Sequence, residues 1–121
     1  MADNSSFGLK IGIEGEKEFK NALKEINQSF KVLGSEMNLV TSQFDKQDKS
    51  IQAITARNNV LNKEIDAQKN KISTLEAALK NASDSFGETD RRTQNWATQL
   101  NNAKAELNNM ERELEESAAD A

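Results

Sequence analysis

Residues 51–82 read IQAITARNNVLNKEIDAQKNKISTLEAALKNA, with apolar side chains recurring at alternating steps of three and four. This spacing is a heptad repeat, written abcdefg with apolar residues at a and d, and it is typical of coiled coils. The same frame extends without a break over residues 19–114. Nearly all its a and d positions are apolar, whereas the other positions are mostly polar and their apolar members are mainly alanine. A stripe this narrow predicts long helices that bury one side against another helix.

The a and d positions form a predicted helix–helix interface, called here the coiled-coil seam. Five of its 28 members are polar, and two of these, Asn58 and Gln68, lie within residues 51–82. Such residues commonly fix the register or the oligomeric state of a coiled coil, and a loosely packed seam is the alternative interpretation. The predicted interface residues are Phe19, Leu23, Ile26, Phe30, Leu33, Met37, Val40, Phe44, Ile51, Ile54, Leu61, Ile65, Ile72, Leu75, Leu79, Trp96, Leu100, Leu107, Met110 and Leu114.

The composition fits a helical protein with little apolar material beyond the seam. The chain has 121 residues, a net charge of −4, 30% charged residues and no proline, histidine or cysteine. Disulfides and metal sites built on thiolate or imidazole are therefore excluded. With too few apolar residues for a compact core, stability must come from packing helix against helix. The length suits one domain or one fragment.

No catalytic, cofactor or metal motif is present, so the sequence predicts that the protein is not an enzyme. Without histidine and cysteine there is no Ser/His/Asp or Cys/His set. The dispersed glycines form no phosphate-binding loop, and residues 45–50 lack the glycine and distal glutamate of a calcium loop. The sequence shows no stripe of basic residues of the kind that would indicate nucleic-acid binding. No segment resembles a signal peptide or is long enough to span a bilayer, and the seam is too narrow for a helix lying on a membrane.

The N-terminal residues 1–15 are expected to be a disordered start followed by a short strand. Phe7, Leu9, Ile11 and Ile13 alternate with polar residues and glycines, which is a strand period, and Gly15 ends the pattern. One interpretation is a strand or extended arm lying on the chain's own helices. The other is a strand that completes a sheet with further copies or with a partner.

A first helical segment is predicted over 16–49, starting near Glu16. Gly34 keeps the heptad phase, which indicates a bend or a tolerated glycine. Residues 45–50, DKQDKS, are fully polar, and Asp48 or Ser50 could cap a new helix.

The remaining residues, 50–121, are predicted to form a helical hairpin. The frame runs through Gly87, so one continuous rod is the alternative, but small polar residues cluster around this glycine. Folding back there pairs residues whose numbers sum to 175, for example Leu75 with Leu100 and Asn58 with Ser117. The predicted fold class is therefore all-α: an antiparallel coiled-coil hairpin with its turn near Gly87, plus a short N-terminal strand or extended arm. The seam of the first segment must then bury itself against the hairpin or other copies, and self-association as a dimer or trimer is expected.

Three segments resemble the N-terminal region of phage tail tape measure proteins, particularly those of phages and prophages of Gram-positive bacteria. They are IGIEGEKEFKNALKEIN at 11–27, the run at 35–82 that begins SEMNLVTSQFDKQDKS, and FGETDRRTQNWATQLNNAKAELNNMERELEE at 86–116. The last is the most distinctive, through Phe86-Gly87-Glu88 and Trp96. The resemblance covers residues about 9–117.

The resemblance implies a structural role in virion assembly. Tape measure proteins are long, largely helical, set tail length and template polymerisation of the tail tube around them. The chain would then be an N-terminal fragment, assembled in the bacterial cytoplasm and located in the tail lumen, with the tail tube protein and tail assembly chaperones as partners. The alternative is a cytosolic coiled-coil scaffold or adaptor, or the arm of a chromosome-organising ATPase.

Overall fold

The protein is all-α, as the sequence predicts. A computed structural model describes residues 12–45 and 48–119, which form three helices: α1 (Gly12–Gln43), α2 (Ile51–Phe86) and α3 (Arg91–Ala119). Both α1 and α3 pack along α2. The chain reverses direction at each connection, so α1 and α3 run parallel to each other and antiparallel to α2, which lies between them.

Helix α1 starts earlier than predicted. It begins at Gly12 rather than near Glu16, and Gly15 lies buried inside it, so the predicted break at this glycine is wrong. The reason is a contact with α2. The Gly12 N–H donates to Asn81 Oδ1 at 2.9 Å, and Asn81 Nδ2 donates to the Gly12 carbonyl at 3.3 Å. A side chain 69 residues away thus satisfies the first turn of the helix. Of the predicted strand, residues 7–11 lie outside the described residues, and 12–14 are helical.

The connection between α1 and α2 matches the predicted polar break. Ser50 is the N-cap of α2, and its Oγ accepts a hydrogen bond from the Ala53 N–H at 3.2 Å. The Arg57 guanidinium closes the loop by donating to the carbonyls of Asp45 and Asp48, at 2.9 and 2.7 Å. Capping at Ser50 is therefore confirmed, and the loop is fixed by its own backbone acceptors.

A tight turn separates α2 from α3. Gly87 caps the C-terminus of α2 with φ at 93°, a conformation that glycine adopts at least cost. Its N–H donates to the Ser83 carbonyl at 3.0 Å, and its own carbonyl accepts from Thr93 Oγ1 at 2.7 Å. The Arg92 guanidinium stacks 3.5 Å above the Phe86 ring. The chain turns where small polar residues predicted it, and α3 runs back along α2.

The best-packed part of the core lies near this turn, where all three helices meet. Its buried members are Phe19, Leu23, Ile26, Leu75, Ala78, Ala82, Trp96, Leu100 and Ala103. No helix within 12–45 and 48–119 has a stretch apolar enough to cross a bilayer.

Candidate interaction surface

Most predicted seam residues lie inside the bundle. Eleven are buried and eight are half-buried, so the seam is mainly the interior of one chain. The buried ones are Phe19, Leu23, Ile26, Leu33, Val40, Ile54, Leu61, Ile65, Leu75, Trp96 and Leu100. The half-buried ones are Phe30, Met37, Phe44, Ile72, Leu79, Leu107, Met110 and Leu114.

Ile51 is the exception among the predicted interface residues. It is 79% exposed in the single chain, so no helix among the described residues covers it. Ile51 is the first residue of α2, directly after the Ser50 cap. The heptad frame assigns a direction to a side chain but cannot tell whether a neighbouring helix extends far enough to cover it.

Several buried residues lie outside the predicted seam. Ala53, Val60 and Ala78 of α2 are buried although their heptad positions are neither a nor d. They are buried because the central helix has a neighbour on two sides. The enrichment of alanine among the off-seam apolar residues was the available signal, since small residues allow a second helix to approach closely.

Asn58 and Gln68, the polar seam residues of α2, make hydrogen bonds between α2 and α3. Gln68 is 1% exposed, and its Nε2 donates to the Ala103 carbonyl at 2.8 Å and to Glu106 Oε1 at 3.4 Å. Asn58 Oδ1 accepts from Ser117 Oγ at 2.7 Å, which is the pair expected from folding at Gly87. These bonds favour the register-fixing interpretation, because shifting α3 would leave a buried amide unpaired.

A buried polar contact joins α1 directly to α3. Trp96 is 2% exposed and Glu16 is 6% exposed, and Trp96 Nε1 donates to Glu16 Oε2. Burying a carboxylate is costly unless it is hydrogen-bonded, and this indole N–H supplies a partner. Glu16, where the sequence predicted the helix to start, therefore ties the beginning of α1 to the beginning of α3.

Above this contact, α1 and α3 enclose an open groove of about 430 Å³. Leu23 and Trp96 form its floor. Its walls carry four cationic side chains, Lys20, Lys24, Lys31 and Arg92. Arg92 is paired with Asp90 at 3.0 Å, and hydrogen bonds from the Arg92 side chain lower the pKa of Asp90 to about 2.

The same side of the bundle becomes acidic towards the other end. A shallow pocket lined by Asn27, Phe30, Glu106 and Met110, among others, adjoins the groove, which Asn27 also lines. Glu113 follows Glu106 by seven residues and thus lies on the same flank of α3.

Glu64 of α2 lies near the acidic part of this side. Burial, and secondly the negative charge of Glu113, raise the pKa of the Glu64 carboxyl. One side of the bundle thus carries a cationic groove and an anionic region, separated by a half-apolar pocket.

The described residues gather no set of side chains suited to holding a metal. No cluster of three or more potential metal ligands occurs within 12–45 and 48–119. In the same part of the chain, no buried side-chain polar atom lacks a hydrogen-bond partner.

Comparison with protein-family models, with curated proteins and with solved structures gave no match. The resemblance to tape measure proteins accordingly rests on the three quoted segments of sequence.

Proposed function

We propose that the chain is a structural phage tail protein, the N-terminal part of a tape measure that sets tail length and templates the tail tube. One observation carries this proposal: the most distinctive segment of the resemblance is also the structural junction of the bundle. Gly87 forms the turn, Phe86 stacks under Arg92, and Trp96 joins α3 to α1. Residues that a coiled-coil composition would not require thus have defined roles in the fold.

Helices α2 and α3 form, in this proposal, an antiparallel coiled coil. The support is the heptad frame together with the observed register, in which Asn58 meets Ser117 and Gln68 meets Ala103. Helix α1 covers the other side of α2, where small residues such as Ala53 and Ala78 are buried.

The folded-back arrangement limits how this segment can contribute to a ruler. Helix α2 has 36 residues and spans about 54 Å at 1.5 Å per residue. The same three helices placed end to end would span roughly 145 Å. The proposed role is therefore a folded end piece of the ruler, which contributes the length of the bundle rather than that of an extended rod and engages the tube protein or assembly chaperones at the start of tail growth.

Insertions in a phage or prophage that carries this sequence test the proposal. One variant receives three heptads in each of the three helices at matched levels, which lengthens the bundle by about 32 Å. The control receives the same 63 residues as one added helix after residue 119, worth about 95 Å. In electron micrographs, tails of the first variant should be longer than wild-type tails by about 32 Å and tails of the control by about 95 Å.

Other results of this experiment contradict the proposal in distinct ways. Equal increments of about 95 Å would mean that the segment is extended in the tail. Tails of unchanged length in both variants would mean that it is no part of the ruler. If deletion of residues 12–119 leaves tails normal in number and length, the protein has no tail role, and a coiled-coil adaptor becomes the better interpretation.

A further inference from the structure

The α1/α3 side of the bundle is defined here as the groove, the adjoining pocket and Glu113 with Glu116. Positive charge is concentrated towards one end of this side and negative charge towards the other. No basic stripe is predicted from the sequence as a whole, but Lys17, Lys20 and Lys24 recur on α1 at steps of three and four and so lie on one short stripe. They are exposed, and in the described part of the chain they form no salt bridge. Like charges at this spacing repel each other, so the stripe lowers the stability of the isolated chain.

The acidic part of this side is equally uncompensated. Glu113 and Glu116 are exposed and form no salt bridge among the described residues. Burial, and secondly the negative charge of Glu113, raise the pKa of the Glu64 carboxyl, so two like charges lie near each other on α2 and α3. Of the lysines that line the groove, Lys20 and Lys24 lie towards the other end of the same side, whereas Lys31 lies nearer to the level of Glu113.

We infer that the α1/α3 side binds the same side of a second copy in antiparallel orientation, which forms a closed two-fold dimer. A two-fold axis through the pocket beside Asn27 and Phe30 places the cationic stripe of each chain on the acidic part of the other. Two observations show which residues of α1 and α3 lie side by side along the bundle: Glu16 contacts Trp96, and Asn27 shares a pocket with Glu106. Residues of α1 therefore lie beside residues of α3 numbered about 80 higher.

This register pairs individual charges. Lys24 lies at the level of residue 104 of α3, so rotation about an axis near residue 108 brings it opposite Glu113 of the second copy. By the same geometry Lys20 meets Glu116. Each pairing occurs twice in a two-fold interface, and half-buried Phe30 and Met110 lie at its centre. A parallel in-register association would instead place lysine against lysine, which argues against a parallel trimer.

Charge reversal on the purified chain tests this arrangement without reference to tails. The Lys20→Glu/Lys24→Glu variant and the Glu113→Lys/Glu116→Lys variant should each dimerise at least about tenfold more weakly than the wild type, because attraction becomes repulsion at four pairings. An equimolar mixture of the two variants should recover the dimer, since the reversed charges complement each other. Sedimentation velocity over a range of concentrations measures all three samples.

Matched controls carry the same changes in charge on the other flank of the helices. Lys69→Glu/Lys104→Glu and Glu111→Lys/Glu115→Lys alter exposed residues away from the α1/α3 side, and both should dimerise like the wild type. A wild type that stays monomeric at high concentration, or that grows into a ladder of larger species, overturns the closed dimer. So does a mixture of the two reversed variants that remains monomeric, which would leave another acidic protein as the occupant of the groove.

Discussion

The two ends of the bundle are held together differently. At the Gly87 end, α1, α2 and α3 all contribute buried side chains, among them Phe19, Leu75 and Trp96. At the Ser50 end, α1 and α2 still bury Val40 and Ile54, but α3 beyond Ala103 offers only half-buried apolar residues. Each helix has a single apolar stripe. The three stripes therefore enclose a common core only at the Gly87 end, where each helix places a large apolar residue at the same level.

The largest effect of this difference is expected for Trp96→Ala at the Gly87 end. The substitution removes the largest side chain of the core and leaves the buried Glu16 carboxylate without its indole donor. Truncating a buried aromatic costs about 3–5 kcal/mol. Urea unfolding followed by circular dichroism would measure the loss. Trp96→Phe keeps the packing and removes only the donor, so its loss should be smaller, about 1–3 kcal/mol.

A loss below about 1 kcal/mol for Trp96→Ala would show that the contact between α1 and α3 contributes little. The stability of the Gly87 end would then come from the separate packing of α1 against α2 and of α3 against α2.

Two leucine truncations compare the ends directly. Leu75 is fully buried among all three helices, and Leu75→Ala should cost about 2–5 kcal/mol in the free energy of unfolding. Leu114 is a half-buried residue near the end of α3, and Leu114→Ala should cost about 1 kcal/mol or less. Chemical denaturation of both variants measures the two losses in the free energy of unfolding. Equal losses would mean that the end of α3 is packed as firmly as the Gly87 end.

Two glycines provide a smaller test with opposite signs. Gly87 has φ at 93°, so Gly87→Ala should destabilise by about 1–2 kcal/mol through backbone strain. Gly34 lies within α1 with nothing near its missing Cβ, and Gly34→Ala should stabilise by about 0.5–1 kcal/mol. Thermal melts of the two variants should move in opposite directions. A melting temperature that falls for Gly34→Ala would indicate that the helix needs this glycine.

The heptad pattern predicts the helices well and their surroundings poorly. It places most of the large buried residues of α2 and α3, because these follow a repeat of seven, and the small polar residues around Gly87 separately predict the turn. It misses the early start of α1, because Asn81 supplies that cap from a distant helix. It also misses Val60 and Glu16, since which further face of a helix becomes buried depends on where the third helix lies. The heptad pattern also misses the charge distribution along the α1/α3 side. This distribution arises because α1 and α3 run parallel and so bring together residues that are about 80 apart in the sequence.

The smallest expected effect is the pH dependence caused by Glu64, near the Ser50 end. Burial, and then Glu113, raise the pKa of the Glu64 carboxyl in the folded chain above the ordinary value of a glutamate. The folded state therefore binds the proton more tightly than the unfolded state, and stability is lost as the pH rises from about 4.5 through the raised folded pKa. Glu64→Gln cannot ionise.

The variant should therefore match the wild type at acid pH and exceed it slightly at neutral pH. Glu113→Gln removes only the second cause of the raised pKa, so its gain attributable to Glu64 should be smaller. Urea unfolding between pH 3 and pH 7, at high salt and low protein concentration to keep the chain monomeric, compares the three proteins. A neutral-pH stability of Glu64→Gln below that of the wild type would show that this carboxylate stabilises the Ser50 end, and that a cation, rather than Glu113 alone, lies beside it.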